Sequence, residues 1–501
     1  MFQSQELGNY ERAIDLYSEM RVLARDGGLA REEFAAAERI GVIFALIENH
    51  EAAAKALEDT LEILQKLELP RKRDEHDAEI RCLAALGTIL YKTGKSFESI
   101  SRFEAALAIS KASIHRNQSV ECNVLACLGQ VFNSLGQFSR AICMHTQALE
   151  MARDNGDVSL QACALGSLGL AFGCMGKYQD AITNHERCFV LAVRMGDSKL
   201  EGISQCNLGG LFTIIGDHDK AIRTIEMGIS KAKQVDDIPC QGRGYMSLGE
   251  CFMHLQQYEQ AIQKFELALP ICVETNDDIG QAASNMQMGA CYVFMAQDKQ
   301  GTARLDAVAK ASEIYSNVLD IAESNPHHVV RNLRAQVYLE KAKLVYMQDN
   351  LDEAVEWLER HLDLVVTMGR TLCMGCGLVR CNQDEMLSCS HCKAVRYCNK
   401  DHQRMSWIGD GHKFICPLLR KWRRMMKGKE ARDSVQQDLV DFLTSAHPPQ
   451  SLRLSAGGFA AAVPFFGTCD EAITLKSNDM TCHIASDSND IACHIASDGF
   501  S

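Results

Sequence analysis

Apolar and small residues recur along this chain with a helical period nested inside a longer one. The strings CLGQVF, SLGLAF, NLGGLF, SLGECF and QMGACY place Gly129, Gly169, Gly209, Gly249 and Gly289 forty residues apart. Twelve residues after each stands a second small residue: Ala141, Ala181, Ala221, Ala261 and Gly301. The pairing extends with looser spacing to Gly41 with Ala53, Gly87 with Ser99, and Ala342 with Ala354. An incomplete copy, LGNYERAIDLYSEM, opens the chain with Ala13.

Each unit reads as two helices joined by a turn such as SLGQFSRA, CMGKYQDA or IIGDHDKA. A small residue on each helix lets the two backbones approach, and Leu128, Phe132, Phe138 and Ile142 fill the flanking layers. Polar junctions such as RDNGD and RMGD end the second helix near a glycine, a common C-terminal signal. A single hairpin cannot bury both its faces, so neighbouring units must stack. Self-similarity at this period predicts an all-α solenoid of helical hairpins.

The Leu-Gly and Ala positions resemble the tetratricopeptide repeat (TPR) family over residues 1–366. The period resembles the longer variant of Leu-Gly-Asn-type polarity adaptors, which LGNYERAI matches, and fits it better than HEAT repeats. The resemblance implies peptide or protein binding on the concave face. The matching inward positions are Ala126, Gly166, Cys206 and Met246, then Gln130, Leu170, Gly210 and Glu250. They are mostly small and neutral, which argues against the Lys, Arg and Asn clamp some members use for C-terminal carboxylates. Asn123, Asn133, Arg243 and His254 remain as groups that could bond an extended backbone.

Composition narrows the class. The chain has 501 residues, 47% hydrophobic and 23% charged, as in a globular protein of two or more domains. Only 8 prolines agree with long helices, and a net charge of -13 disfavours nucleic acid as the partner of the whole chain. The start has no basic segment followed by an apolar one, so no signal peptide is expected. No apolar run reaches 18 residues, so no membrane span is expected either. The 22 cysteines then read as reduced thiols of a cytoplasmic or nuclear protein. Twelve precede Cys373 without fixed spacing and read as small buried residues.

The remaining cysteines carry a pattern. CMGC gives Cys373 and Cys376, and CSHC gives Cys389 and Cys392. YCNKDH gives Cys398 and His402 one helical turn apart, and HKFIC gives His412 and Cys416 at the same spacing. Eight sulfur and nitrogen ligands make two closed tetrahedral zinc sites, with no position left for water, so the zinc is structural. Two Cys-x2-Cys pairs followed by two helical Cys/His pairs argue against redox chemistry. The terminal His412-x3-Cys416 excludes the RING order.

The pattern over 373–416 resembles the MYND zinc finger: two Cys-x2-Cys pairs, YCNKDHQ, Trp407 and HKFIC. The family interleaves its sites, which implies Cys373, Cys376, Cys398 and His402 on one zinc and Cys389, Cys392, His412 and Cys416 on the other. His402 stands where the family usually has cysteine, and imidazole suits tetrahedral zinc. His391, Cys381 and Asp401 are nearby spares. The string WIGDGH is two residues longer than usual, and Gly409 and Gly411 are expected to loop out the excess. Interactor MYND fingers grip proline-containing peptides, which implies Gln403 and Trp407 as peptide contacts.

Residues 371–429 hold twelve Lys/Arg against four Asp/Glu, a formal +8, concentrated in RKWRRMMKGK. A solvated helix over 417–445 is the expected form, with nucleic-acid contact as the alternative. Residues 446–501 end in a short duplication holding Cys482, His483, Cys493 and His494, and are expected to be a disordered tail. MYND fingers also occur in SET-domain lysine methyltransferases, but the Asn-His-x-Cys-x-Pro-Asn signature is not in this sequence. The expectation is a non-enzymatic adaptor or scaffold.

Overall fold

The computed structural model describes residues 2–47, 49–66, 73–112, 118–324, 328–371, 387–397, 403, 412–428 and 431–444. These residues form nineteen α-helices and one two-stranded sheet. They divide into two compact units: residues up to Val131 with Cys143–Ser167, and Phe132–Ile142 with the chain from Leu168 on. The tail expected from residue 446 lies outside the described residues.

In the first unit α1 is Phe2–Asp26, α2 Ala30–Leu46, α3 His50–Lys66, α4 Arg73–Lys92 and α5 Ser96–Ala112. Helices α6 (Gln118–Ser134), α7 (Phe138–Asp154) and α8 (Val158–Cys174) each give residues to both units. The opening copy differs from expectation, because α1 runs as one helix through Gly8 and Asn9, where a repeat would turn. In the second unit α9 is Tyr178–Met195, α10 Ser198–Ile215, α11 His218–Gln234, α12 Ile238–His254 and α13 Tyr258–Glu274. There follow α14 (Asp278–Asp298), α15 (Thr302–Ser324), α16 (His328–Tyr346) and α17 (Leu351–Thr371). First helices α10, α12, α14 and α16 pack on each other in sequence, and each pairs with the second helix that follows it.

The glycine register has a more specific cause than backbone approach. Each glycine makes room for a large side chain sixteen residues on. Gly87 lies on Phe103, Gly129 on His145, Gly169 on His185, Gly209 on Ile225 and Gly249 on Phe265. A Cβ at Gly249 would come within 2.7 Å of the Phe265 ring, closer than real Cβ atoms approach. Ala141, Ala181, Ala221 and Ala261 are all fully buried, as the second-helix pattern requires. Where Ser99 takes that place, its hydroxyl donates to the Gly87 carbonyl at 2.7 Å, so a polar residue fits the contact.

Gly301 does not fill the second-helix position expected of it. It sits in the turn before α15 with φ +62, and Gly289 packs on Tyr315, twenty-six residues on. Ten extra residues lengthen this repeat, and buried Ala311 takes the small-residue place.

Helix ends follow a second period. The chain turns through a left-handed residue at Gly136, Gly156, Gly176, Gly196 and Gly216, every twenty residues. Asp236, Gln256 and Asn276 continue that series with φ of 53, 60 and 53. Left-handed backbone is strained for residues with a Cβ, least for Asn and Asp. Asp157, Asp197, Asp237 and Asp277 then cap the first helices, each accepting from the backbone N–H three residues on at 2.8–3.0 Å.

Candidate metal centre

Strands β1 (Leu387–Ser388) and β2 (Arg396–Tyr397) pair antiparallel and frame a tight turn. Within it the Cys389 N–H donates to the Val395 carbonyl at 3.1 Å, and the Lys393 N–H to the Cys389 carbonyl at 3.0 Å. Lys393 takes a left-handed φ of 51. This folds the backbone around the sulfurs. The N–H groups of His391 and Cys392 reach the Cys389 sulfur, and that of Ala394 reaches Cys392 Sγ at 3.4 Å. Such donors favour the thiolate, the form that binds metal.

The third sulfur comes from α18 (His412–Met426). Cys389, Cys392 and Cys416 are all buried, and their sulfurs lie within 4.8 Å of one another. The Cys389–Cys416 separation is 3.8 Å. Two ligands with Zn–S bonds of about 2.3 Å in a tetrahedron sit roughly 3.8 Å apart. The donor set therefore fits zinc. The α18 backbone places His412 one turn before Cys416. Among the described residues this is the only cluster with metal-ligand geometry. His391 is exposed and in contact with Ser390, outside the cluster. Gln403 is half-buried. Cys373, Cys376, Cys398, His402, Trp407 and the spares Cys381 and Asp401 lie outside the described residues.

The cluster does not stand apart from the repeats. Cys389, Cys392, Cys416, Val395 and Tyr397 share one hydrophobic core with Leu358, Leu362, Val365 and Val366 of α17. Leu419 and Trp422 of α18 and Val435 and Leu439 of α19 (Arg432–Thr444) complete it. Trp422 is 4% exposed, and its Nε1–H donates to Asp363 Oδ1 of α17 at 2.8 Å. Arg423 donates to the Cys392 carbonyl at 3.5 Å, and Lys421 pairs with Asp438 at 2.6 Å. The tryptophan of the basic stretch is thus a core residue, unavailable for stacking on a base. Arg420 and Arg424 on the helix, and Lys427 just past its end, are exposed.

The repeat face is the second place where function was expected. Cys206 and Met246 are not groove residues, because both are buried between neighbouring helices. Arg243 bonds the Cys240 sulfur, and His254 stacks on His218 with ring centroids 6.0 Å apart. Asn133 is buried, and Asn123 half-buried. The face of α12 opposite Phe265 is set by helical phase: Ser247 lies about 200° round the helix from Gly249. The same register gives Asn207 on α10 and Gln287 on α14. Of these Asn207 and Gln287 are buried and Ser247 is half-buried, so this row too lies largely within the helix packing.

Family models agree with both parts. The tetratricopeptide repeat model matches residues 74–154 and 160–234, and the MYND finger model matches 373–416. No curated protein matches the chain. Among solved structures it is similar to the apo quorum sensor NprR of B. thuringiensis, at 12% identity and TM-score 0.50. That match covers 71% of this chain and 99% of NprR. It is also similar to aspartyl phosphate phosphatase F of Bacillus subtilis, at 14% identity and TM-score 0.46 over 58% and 73% of the two chains. Likeness at this identity concerns the fold. The chain carries tetratricopeptide repeats and a C-terminal MYND finger, and these point to protein or peptide partners. No helix among the described residues is long and apolar enough to cross a membrane.

Proposed function

We propose that this chain is a zinc-stabilised protein-interaction adaptor of the cytoplasm or nucleus. Its repeats, over 1–366, receive protein or peptide segments. Its finger, over 373–416, holds two structural zinc ions: Cys373, Cys376, Cys398 and His402 on one, Cys389, Cys392, His412 and Cys416 on the other. Gln403 and Trp407 offer a second contact for proline-containing peptides. Residues 417–445 extend the finger, and no catalytic role is assigned to any residue.

The observation that carries this reading is the buried three-sulfur cluster set into the core of the last repeat hairpin. A cluster built into packing with three buried sulfurs supports a structural metal rather than a reactive one. Elemental analysis of the purified full chain is expected to give two zinc ions. One or none would overturn the ligand assignment. Trp407→Ala is expected to keep both ions and lose binding to a proline-containing peptide; loss of zinc instead would make Trp407 a core residue of the finger.

A further inference from the structure

Helix α1 carries the second-helix pattern of the opening copy, with Ala13 in the small-residue place. Counted from that residue, Leu16, Met20 and Leu23 correspond to Thr224, Gly228 and Lys231 of α11. In α11 these places lie against the first helix of the same repeat. Gly228 backs onto Gly202 and Cys206 of α10, and Lys231 pairs with Glu201 of α10 at 2.9 Å. Other second helices agree: Ala148, Cys188 and Ala268 stand at the place of Met20, and all are buried. On α1 the same places are open. Leu16 is 60% exposed, Met20 37% and Leu23 71%. Spacings of four and three residues put them on one face of the helix. Elsewhere α1 is packed: Ala24 is buried, Arg21 bonds Asp59 of α3 at 2.9 Å, and Arg25 bonds Glu33 of α2 at 2.8 Å.

Charge marks one edge of the open face. By helical phase Asp15, Glu19 and Asp26 line up beside it, and all three are exposed. Among the described residues none of their carboxylates forms an ion pair or a hydrogen bond. The acidic edge belongs to α1 in particular, since α7, α9, α11 and α13 carry no acid at the places of Asp15 and Glu19.

We infer that α1 receives an amphipathic α-helix of another protein. The apolar side of that helix covers Leu16, Met20 and Leu23, and its Lys or Arg residues run along Asp15, Glu19 and Asp26. The shape of the occupant comes from the inner repeats, where a helix covers these places. Its charge comes from the acidic edge, because complementary charge selects the partner. Apolar anchors at this spacing are a common grip of one helix on another. A second copy of this chain fits less well, because α1 laid antiparallel on α1 sets acid against acid. The site uses no residue assigned to the finger or to the concave face, so it stands or falls on its own.

The test selects a displayed library of twenty-residue, helix-forming peptides against full-length, zinc-loaded protein. Two double variants run in parallel with wild type: Leu16→Asp with Leu23→Asp, and Asp15→Lys with Glu19→Lys. Both change exposed side chains, and an unaltered Tm confirms that each is folded. Peptides lost in the aspartate variant are expected to carry apolar residues at helical spacing and Lys or Arg along one edge. Replacing those basic residues by Glu should weaken binding to wild type about tenfold, and the lysine variant should prefer the Glu forms. If no peptide is lost in the aspartate variant, α1 is not a docking face. If the lost peptides share no basic edge, or the lysine variant keeps the wild-type preference, the assigned partner chemistry is wrong. A wild-type dimer in sedimentation that the aspartate variant dissolves would make a second copy the occupant and overturn the inference.

Discussion

The middle repeats and the finger solve the same problem with different means. Between α10 and α13 the core is continuous apolar packing, set by a glycine in one helix and a large side chain sixteen residues on. At the finger the described residues before α18 include two-residue strands and one tight turn. So short a segment cannot bury a core of its own. It does so by gathering three sulfurs and by sharing apolar side chains with α17. Periodic packing is thus local and redundant. The finger rests on a few atoms and shares its core with the last hairpin.

The largest expected effect follows from this difference. Cys389→Ala removes one of the three clustered sulfurs, and apparent zinc binding in small fingers is worth about 10–16 kcal/mol, nearly all of it folding energy. The variant is expected to lose one zinc and to become protease-sensitive at α17 and α18, with α9–α13 unchanged. Limited proteolysis with mass mapping reads this. Next comes the repeat register. Gly209→Leu drives a side chain into Ile225, and overpacking typically costs about 1–3 kcal/mol. Its Tm should fall while zinc content stays at the wild-type value; an unchanged Tm would show the register misread.

Two of the buried imidazoles sharpen the comparison from the repeat side. His145 and His185 fill the positions that Phe103 and Phe265 fill elsewhere. Burial pushes both down to about 4, from an unfolded value near 6.5. Between those values the unfolded chain binds more protons, so their neutral forms support folding fully above about pH 6.5 and progressively less as pH falls toward 4. The double variant His145→Phe with His185→Phe should flatten the dependence of Tm on pH across that window. Equal slopes for both proteins would contradict the burial described.

Trp422→Phe keeps the ring in the shared core but loses the bond to Asp363, a contact of about 1.5–3 kcal/mol for a charged acceptor. Zinc should be retained, with faster release to a chelator. The smallest effect is expected at Gln256, where the residue is held left-handed. Gln256→Gly should stabilise by roughly 1 kcal/mol or less, read as a rise in Tm.

Much of this was legible in the sequence because the repeat writes its packing into residue size. Gly129 through Gly289 gave the hairpin count and their pairing with a second helix. The reading failed where the size code was right and the spacing was not. Gly301 is small for a turn, not for a helix crossing, and ten inserted residues were invisible without Tyr315 in place. The inward rows were misassigned at Cys206 and Met246, since small and flexible residues suit an inter-helix seam as well as a groove. At the finger, Cys-x2-Cys spacing foretold the cluster of Cys389, Cys392 and Cys416. The docking of α18 was hidden, because RKWRRMMKGK reads as a solvated basic segment. Only the helix shows that Leu419 and Trp422 share a face with Cys416, while Arg420 and Arg424 point away.

The central claim is that the metal cluster and the last hairpin form one cooperative core. Hydrogen exchange read by mass spectrometry, on the zinc-loaded full chain before and after chelation, tests it directly. The account predicts that removing zinc lowers protection in α17, 351–371, together with α18, while α10–α13 keep theirs. Unchanged protection in α17 after complete zinc removal would show that the finger merely rests on the repeats.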